Sequence, residues 1–378
     1  MLPPLKRIAI ITTQAFSLCN FRGPLIKEMA SGGMIVYAFA PDYTEELKKS
    51  VVALGAIPVD FQMSRTGINP LSDFFNCIQL SIKLRKLRLD GTLSYFIKPV
   101  IYGTLAAYFA RVPNKFAMIE GAGYIFTDHS NPSLFRYLLR ICVVQLYKIA
   151  LSQINVVFVL NPDDKKLFIN EGMVAEERVL LINGIGVDLD YYDFMPPVLN
   201  PMCFILIARL LREKGVYEYV EAARKLKLMY PQTRFLLLGN VDENPGSILE
   251  AEARSWVEEG LIEWPGQVED VRFWLAQASV FVLPSYREGL PRSTQEAMSM
   301  GRAVITADVP GCRETIQHGL NGFLVSPRNP EALFESMLTF VNQPDLVKSM
   351  GLASRKIAVD NFDVHKINVK ILGSMQIF

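Results

Sequence analysis

Histidine is scarce in this 378-residue chain, with three copies (His129, His318 and His365). The five cysteines (Cys19, Cys77, Cys142, Cys203 and Cys312) are scattered, odd in number and form no C-x-x-C pair. That excludes a disulfide framework and a zinc site, and it suits a reducing compartment. No run approaches 18 uninterrupted apolar residues, so no transmembrane helix is expected. The opening MLPPLKRIAIITTQAF sets a basic pair before an apolar run, but Ile8–Ile11 is too short for a signal peptide. A first buried strand is the expectation there. Net charge is nearly absent as well, with 39 Lys and Arg against 38 Asp and Glu, which argues against a general nucleic-acid binder.

Two nucleotide-binding signatures are missing. Gly121-Ala122-Gly123 and Gly184-Ile185-Gly186 lack the third glycine of a dinucleotide fingerprint, and no phosphate loop of the G-x-x-x-x-G-K-[ST] type occurs. Asp188-Leu189-Asp190 mimics a metal-binding D-x-D, but it sits beside two tyrosines and reads as a solvated loop, so no metal site and no cofactor are expected.

What is present is alternation. RIAIIT, MIVYAFA, YFI, KFAMIE and NVVFVL in the first half, and CFILIA, RFLLLG, VFVLPS and AVITA in the second, read as buried strands. Amphipathic stretches such as PLIKEMAS, NPLSDFFNCIQLSIKLRKL, GVYEYVEAARKLKLMY and PRSTQEAMSMG separate them. Continuous apolar strands alternating with helices imply α/β architecture with parallel sheets covered on both faces. The alternation pauses between about Asn183 and Pro201, where Gly, Asp and Pro concentrate. Two doubly wound, Rossmann-like domains are therefore expected, residues 1–190 and 191–360, with functional loops at the carboxyl ends of the strands and facing a cleft. Residues 361–378 are expected to form a helix packing back toward the first domain.

The chemistry concentrates between Val280 and Val325. A strand ending at Pro284 leads to Glu288-Gly289-Leu290-Pro291, and a helix is expected to start at Pro291, where proline has no amide hydrogen to leave unpaired. The amides around Leu290, Arg292 and Ser293 would then form an anion site. Glu288 and Glu296 flank it, which suits a ligand with a central diphosphate and hydroxyl-bearing ends, such as a nucleotide sugar. A capped helix with two surface glutamates is the equal alternative from spacing alone. Arg209 at the end of CFILIA and Lys214 five residues later add two cations that can neutralise a diphosphate without a metal.

Arg209 with Lys214, Glu288-Gly289-Leu290-Pro291 followed by Glu296, and Pro310-Gly311-Cys312 leading to Asn321-Gly322-Phe323 resemble the family 4 retaining glycosyltransferases of GT-B fold. Phe21-Arg22, Ile119-Glu120-Gly121-Ala122-Gly123 and Asp242-Glu243-Asn244-Pro245 are similar to a bacterial subgroup. Its members add N-acetylgalactosamine or related hexoses to undecaprenyl-diphosphate-linked sugars. The resemblance implies a UDP-sugar donor whose diphosphate meets Arg209 and Lys214, whose ribose meets Glu296, and whose sugar meets Glu288, Gly289, Leu290 and Pro291. It also implies a lipid-linked saccharide acceptor and retention of configuration. The glycine-rich loop that many members carry after the first strand is absent here. Where many members place a histidine, this chain has Glu120, with His129 nine residues on. Glu120 either assists the acceptor hydroxyl or binds the amides of its own Gly-Ala-Gly turn, whereas His129 reads as a loop histidine.

Lys83 to Lys148 contains ten basic and three acidic residues, a local net charge of +7. Two amphipathic stretches carry parts of this charge, the first ending in Lys83, Arg85, Lys86 and Arg88. One carries Leu71, Phe74, Phe75, Ile78, Ile82 and Leu84, the other Phe135, Leu138, Leu139, Val143 and Leu146. For the first, packing of the apolar side on the sheet is favoured; for the second, packing and insertion into a membrane surface stand equal. Together they imply a cytoplasmic protein held at the inner membrane face. A UDP-sugar 2-epimerase of the same architecture and a non-catalytic nucleotide-sugar-binding protein are the rival functions. The three histidines give the first little acid–base chemistry, and the complete Arg209, Lys214, Glu288 and Glu296 set argues against the second.

Overall fold

The computed structural model describes residues 5–64, 69–126, 134–242, 244 and 246–375. His129, Glu243 and Pro245 lie outside the described residues. The chain divides into two compact units, Met1–Ile185 with Val364–Phe378, and Gly186–Asp363. The first boundary therefore falls within Gly184-Ile185-Gly186 instead of after residue 190. There Gly184 and Gly186 both take positive φ, which lets the chain turn sharply out of the first sheet. The chain re-enters the first unit at Val364, so the extended Gly-, Asp- and Pro-rich stretch belongs to the second unit.

The first unit holds a seven-stranded sheet of β1 (Arg7–Ile11), β2 (Ile35–Ala40), β3 (Ala56–Asp60), β4 (Gly91–Tyr95), β5 (Asn114–Ile119), β6 (Val156–Val159) and β7 (Val179–Leu181). Their order is β3-β2-β1-β4-β5-β6-β7, and every pairing is parallel. The second unit holds β8 (Cys203–Ile207), β9 (Arg234–Leu238), β10 (Glu263–Gly266), β11 (Val280–Leu283), β12 (Ala303–Ala307) and β13 (Gly322–Val325). These run β10-β9-β8-β11-β12-β13, again all parallel. The strand order reverses at β1/β4 and at β8/β11. In open parallel sheets such reversals open the crevice in which ligands bind.

Five strands differ from expectation, and two of them, β7 and β13, are short edge strands of three and four residues. YFI is not a strand: β4 starts earlier, at Gly91, and ends at Tyr95, because Phe96 takes a positive φ of 69° and turns the chain away. The strands β3 and β10 escape the sequence reading because each contains a proline, Pro58 and Pro265. Both are edge strands, where a missing amide hydrogen costs no ladder bond. The last helix, Val364–Ser374, buries Val364, Ile367, Ile371 and Leu372 and lies against the Gly23–Ser31 helix of its own unit. Its Asn368 donates to Glu28 Oε1 at 3.0 Å, and His365 Nδ1 meets the same oxygen at 2.7 Å.

Within the second unit, Arg302 is fully buried. Its guanidinium donates to the carbonyls of Ala278 at 2.5 Å, Met300 at 3.0 Å and Met195, tying the segment before β8 to the end of the Arg292–Ser299 helix. Burial lowers its pKa to about 10, still well above neutrality. Arg302→Met should therefore destabilise the second unit by about 2–4 kcal/mol, since it leaves buried carbonyls without donors. Thermal unfolding would show this, and a midpoint within 1 °C or so of the parent would contradict it.

Candidate functional site

Lys214 ends a one-turn 3-10 segment after β8, and Gly215 follows it in the left-handed region at φ 73°. A Cβ at Gly215 would lie 2.3 Å from the Pro284 carbonyl oxygen, so only glycine lets this turn close onto the end of β11. Because β8 and β11 are hydrogen-bonded neighbours, the close approach carries Lys214 Nζ to 2.5 Å from Glu288 Oε1. Ser285 donates to the same oxygen at 2.8 Å. The Glu288 amide donates to Pro310 C=O at 3.0 Å, and Gly311 at φ 83° backs directly onto the Glu288 carbonyl. The Pro-Gly-Cys motif thus clamps the Glu288 loop. Cys312 is buried behind it, its thiol pushed up by burial and then by the Glu288 charge.

The helix after this loop runs Arg292–Ser299, one residue later than expected. Pro291 has a helical φ of −65° but an extended ψ of 123°, so it caps the helix instead of beginning it. The first helical bond runs from Gln295 N–H to Pro291 C=O at 3.3 Å. The amides of Ser293 and Thr294 precede that bond, at the positive end of the helix dipole. Leu290 is buried, fixing the turn.

Glu296 is not a surface glutamate. Its side chain is 11% exposed, and its Oε1 accepts from Tyr192 OH at 2.9 Å and from Arg292 Nε at 2.8 Å. The side chain of Glu288 is 13% exposed, so the alternative of two surface glutamates fails. Tyr192 carries no motif, because it lies in the Gly-, Asp- and Pro-rich stretch where the strand–helix alternation pauses. Burial, and then the Glu296 charge, push its phenol upward, so it remains a donor. Asp188 in the same stretch accepts from the amides of Asp190 at 3.0 Å and Tyr191 at 2.9 Å, organising the turn that presents Tyr192.

Arg209 follows β8 and is half exposed. It pairs with Asp242 Oδ2 at 2.8 Å, and Asp242 is held by the Asn244 amide on its other oxygen at 2.9 Å. The structure thus gathers Lys214, Glu288 and Ser285 at one point, and Glu296, Arg292 and Tyr192 at another, with Arg209 held by the loop after β9.

Glu120 belongs to the first unit, immediately after β5. It forms an ion pair with Arg22. Neither of the two readings of Glu120 included this partner. Gly121 and Gly123 beside it take φ of 121° and 86°, a region that favours glycine.

If Arg209 and Lys214 serve one anion, the pair with Asp242 competes with that anion. Inorganic pyrophosphate, titrated by calorimetry, should bind about tenfold more weakly to Lys214→Ala, a change of about 1.4 kcal/mol. Asp242→Asn keeps the turn and releases Arg209, and should bind pyrophosphate at least as tightly as the parent. Weaker binding to Asp242→Asn would show that Arg209 does not face the anion.

Residues 202–343 match the family model described as glycosyl transferases group 1. The chain is 29% identical over 352 residues to the N,N'-diacetylbacillosaminyl-diphospho-undecaprenol alpha-1,3-N-acetylgalactosaminyltransferase of Campylobacter jejuni, covering 88% of each. It is 24% identical over 323 residues to the UDP-Gal:alpha-D-GlcNAc-diphosphoundecaprenol alpha-1,3-galactosyltransferase of Escherichia coli, covering 79% of this chain and 78% of that one. The crystal structure of Anabaena HepE in complex with UDP and glucose superposes with a TM-score of 0.77, at 17% identity, over 99% of this chain and 100% of the other. The chain therefore carries a glycosyltransferase group 1 domain over residues 202–343, on a GT-B fold of two Rossmann-like domains.

Proposed function

We propose that this glycosyltransferase moves a hexose or N-acetylhexosamine from a UDP-sugar to an undecaprenyl-diphosphate-linked saccharide, retaining configuration, in the assembly of a bacterial surface glycan. The observation that carries the reading is the meeting of Lys214 with Glu288 beside a helix start, with Glu296 on the same helix. Lys214, with Arg209, answers the charge of the donor diphosphate and of the departing UDP. Glu296, fixed by Tyr192 and Arg292, takes the ribose hydroxyls. Glu288 and the Gly289-Leu290-Pro291 turn take the transferred sugar, and Glu120 contacts the acceptor. The names of the two bacterial relatives support the lipid-linked acceptor, and the UDP complex of the structural neighbour supports the donor.

The cations supply the counter-charge in this reading, so no metal is needed. Lys214→Ala should lower turnover by about 10²–10³ at saturating donor, the usual loss on removing one electrostatic donor to a transition state. Activity should survive EDTA. The assay is a panel of UDP-sugars with undecaprenyl-diphosphate-linked N-acetylglucosamine and N,N'-diacetylbacillosamine, read by mass spectrometry. Near-normal turnover of Lys214→Ala, or abolition by EDTA, would overturn the assignment.

The lipid-linked acceptor also requires a face that meets the bilayer. The Pro70–Leu87 helix supplies one, contrary to the favoured expectation that its apolar side packs inward. It buries Asp73, Cys77, Leu80 and Leu84 and exposes Leu71, Phe74, Phe75, Ile78 and Ile82 along the opposite side. These five side chains are 38–73% exposed, so each forgoes about half of the roughly 1.5–3 kcal/mol that full burial would give. Exposed Arg85, Lys86 and Arg88 at the helix end suit anionic headgroups. The Leu134–Leu151 helix contributes Leu134, Phe135, Tyr137 and Leu138, all exposed, while its Arg140 is committed to Glu171. Phe74→Ser with Phe75→Ser should reduce cosedimentation with anionic liposomes severalfold at high salt, where headgroup attraction is screened. Unchanged binding would place the contact elsewhere.

A further inference from the structure

The carboxyl ends of β1, β4 and β5 carry a buried polar network around Arg22. Its side chain is 2% exposed, although arginine is rarely buried without a role for its charge. It reaches across the sheet's reversal point. From the turn between the Ala15–Asn20 and Gly23–Ser31 helices it lies over the Tyr95 ring, 4.5 Å from the centroid, at the end of β4. Beyond Tyr95 it meets Glu120 after β5. A second contact runs to Met118 Sδ at 2.9 Å. Tyr95 is fully buried and is itself anchored, its hydroxyl 2.7 Å from Ser17 Oγ, which lies 3.2 Å from Thr12 Oγ1.

The pair is asymmetric. The guanidinium lies beneath, almost sealed from solvent, while the Glu120 side chain keeps 12% of its surface. A buried pair is weak evidence for stability, since apolar residues of equal volume serve a core as well or better. Its placement at the carboxyl end of a switch point, where ligands of such sheets bind, points to another use. We propose that Arg22 is a positioning residue: it fixes the Glu120 carboxylate at the mouth of the first unit, where Glu120 accepts a hydrogen bond from the acceptor sugar's reacting hydroxyl. This rests on the glycosyltransferase reading above and adds to it the residue that aims the acceptor contact. Arginine suits the task because its planar fork engages a carboxylate directionally while its face stacks on an aromatic ring. Charge compensation from below leaves the carboxylate able to receive a hydroxyl without a second cation.

The test is a double-mutant cycle in the full-length protein. Arg22→Met and Glu120→Gln should each lower kcat for transfer by about 10–100-fold, with the parental circular-dichroism spectrum and a single cooperative thermal transition retained as evidence that the first unit folds. If Arg22 acts through Glu120, the double variant is no slower than Glu120→Gln alone, because residues acting as a unit are not additive. Arg22→Lys should recover part of the loss by restoring the charge. Additive losses, or a Glu120→Gln variant at parental rate, would overturn the proposal while leaving the glycosyltransferase reading intact. A parent protein that binds UDP yet transfers nothing to either lipid-linked acceptor would overturn that reading, and this inference with it.

Discussion

Parallel pairing of β8 with β11 is the constraint on which the second unit's site depends. Lys214 and Glu288 are far apart in sequence, yet the strands that precede them run side by side in register, Phe204 beside Val280 and Ile205 beside Phe281. A parallel sheet delivers the residues after every strand to the same edge. Two glycines complete the approach. Gly215 lets the Lys214 turn rest on Pro284, and Gly311 lets the next loop rest on Glu288. With a side chain at either position, one backbone would have to withdraw, and the ion pair would widen with it.

Every charged group proposed for the ligand already has a protein partner: Arg209 has Asp242, Lys214 has Glu288, Glu296 has Arg292, and Glu120 has Arg22. These charges are therefore partly desolvated and oriented at little further reorganisation, the condition under which electrostatic groups act strongly. The same pairing lets the protein carry opposed charges close together without a net local field. An incoming diphosphate exchanges one set of acceptors for another, so its affinity reflects a difference and not a sum.

Strand–helix alternation and the two parallel sheets were legible because they rest on local pattern, the apolar runs, and the helix start beside Pro291 was legible from that proline. Tyr192 was not legible. Its hydroxyl meets Glu296 across 104 residues, and nothing in a Gly- and Asp-rich stretch marks one tyrosine as buried. The Pro70–Leu87 helix shows a different limit. Its apolar residues fall on two sides, Cys77, Leu80 and Leu84 inward and Leu71, Phe74, Phe75, Ile78 and Ile82 outward. Periodicity shows that a stripe exists but not which stripe is covered. Arg22 and Glu120 met only through the order of β1, β4 and β5, which the sequence does not state.

The return of the last helix to the first unit bears on how the molecule is made. The second unit is one continuous stretch, Gly186–Asp363, whereas the first is assembled from both ends of the chain. Domains generally fold as units during synthesis, the earlier one first. Here the earlier unit emerges first from the ribosome but is finished last. Its Gly23–Ser31 helix waits for Val364, Ile367, Ile371 and Leu372 until the whole second unit has been translated. Until Val364–Ser374 has emerged, the first unit keeps the apolar seam that this helix covers open to solvent.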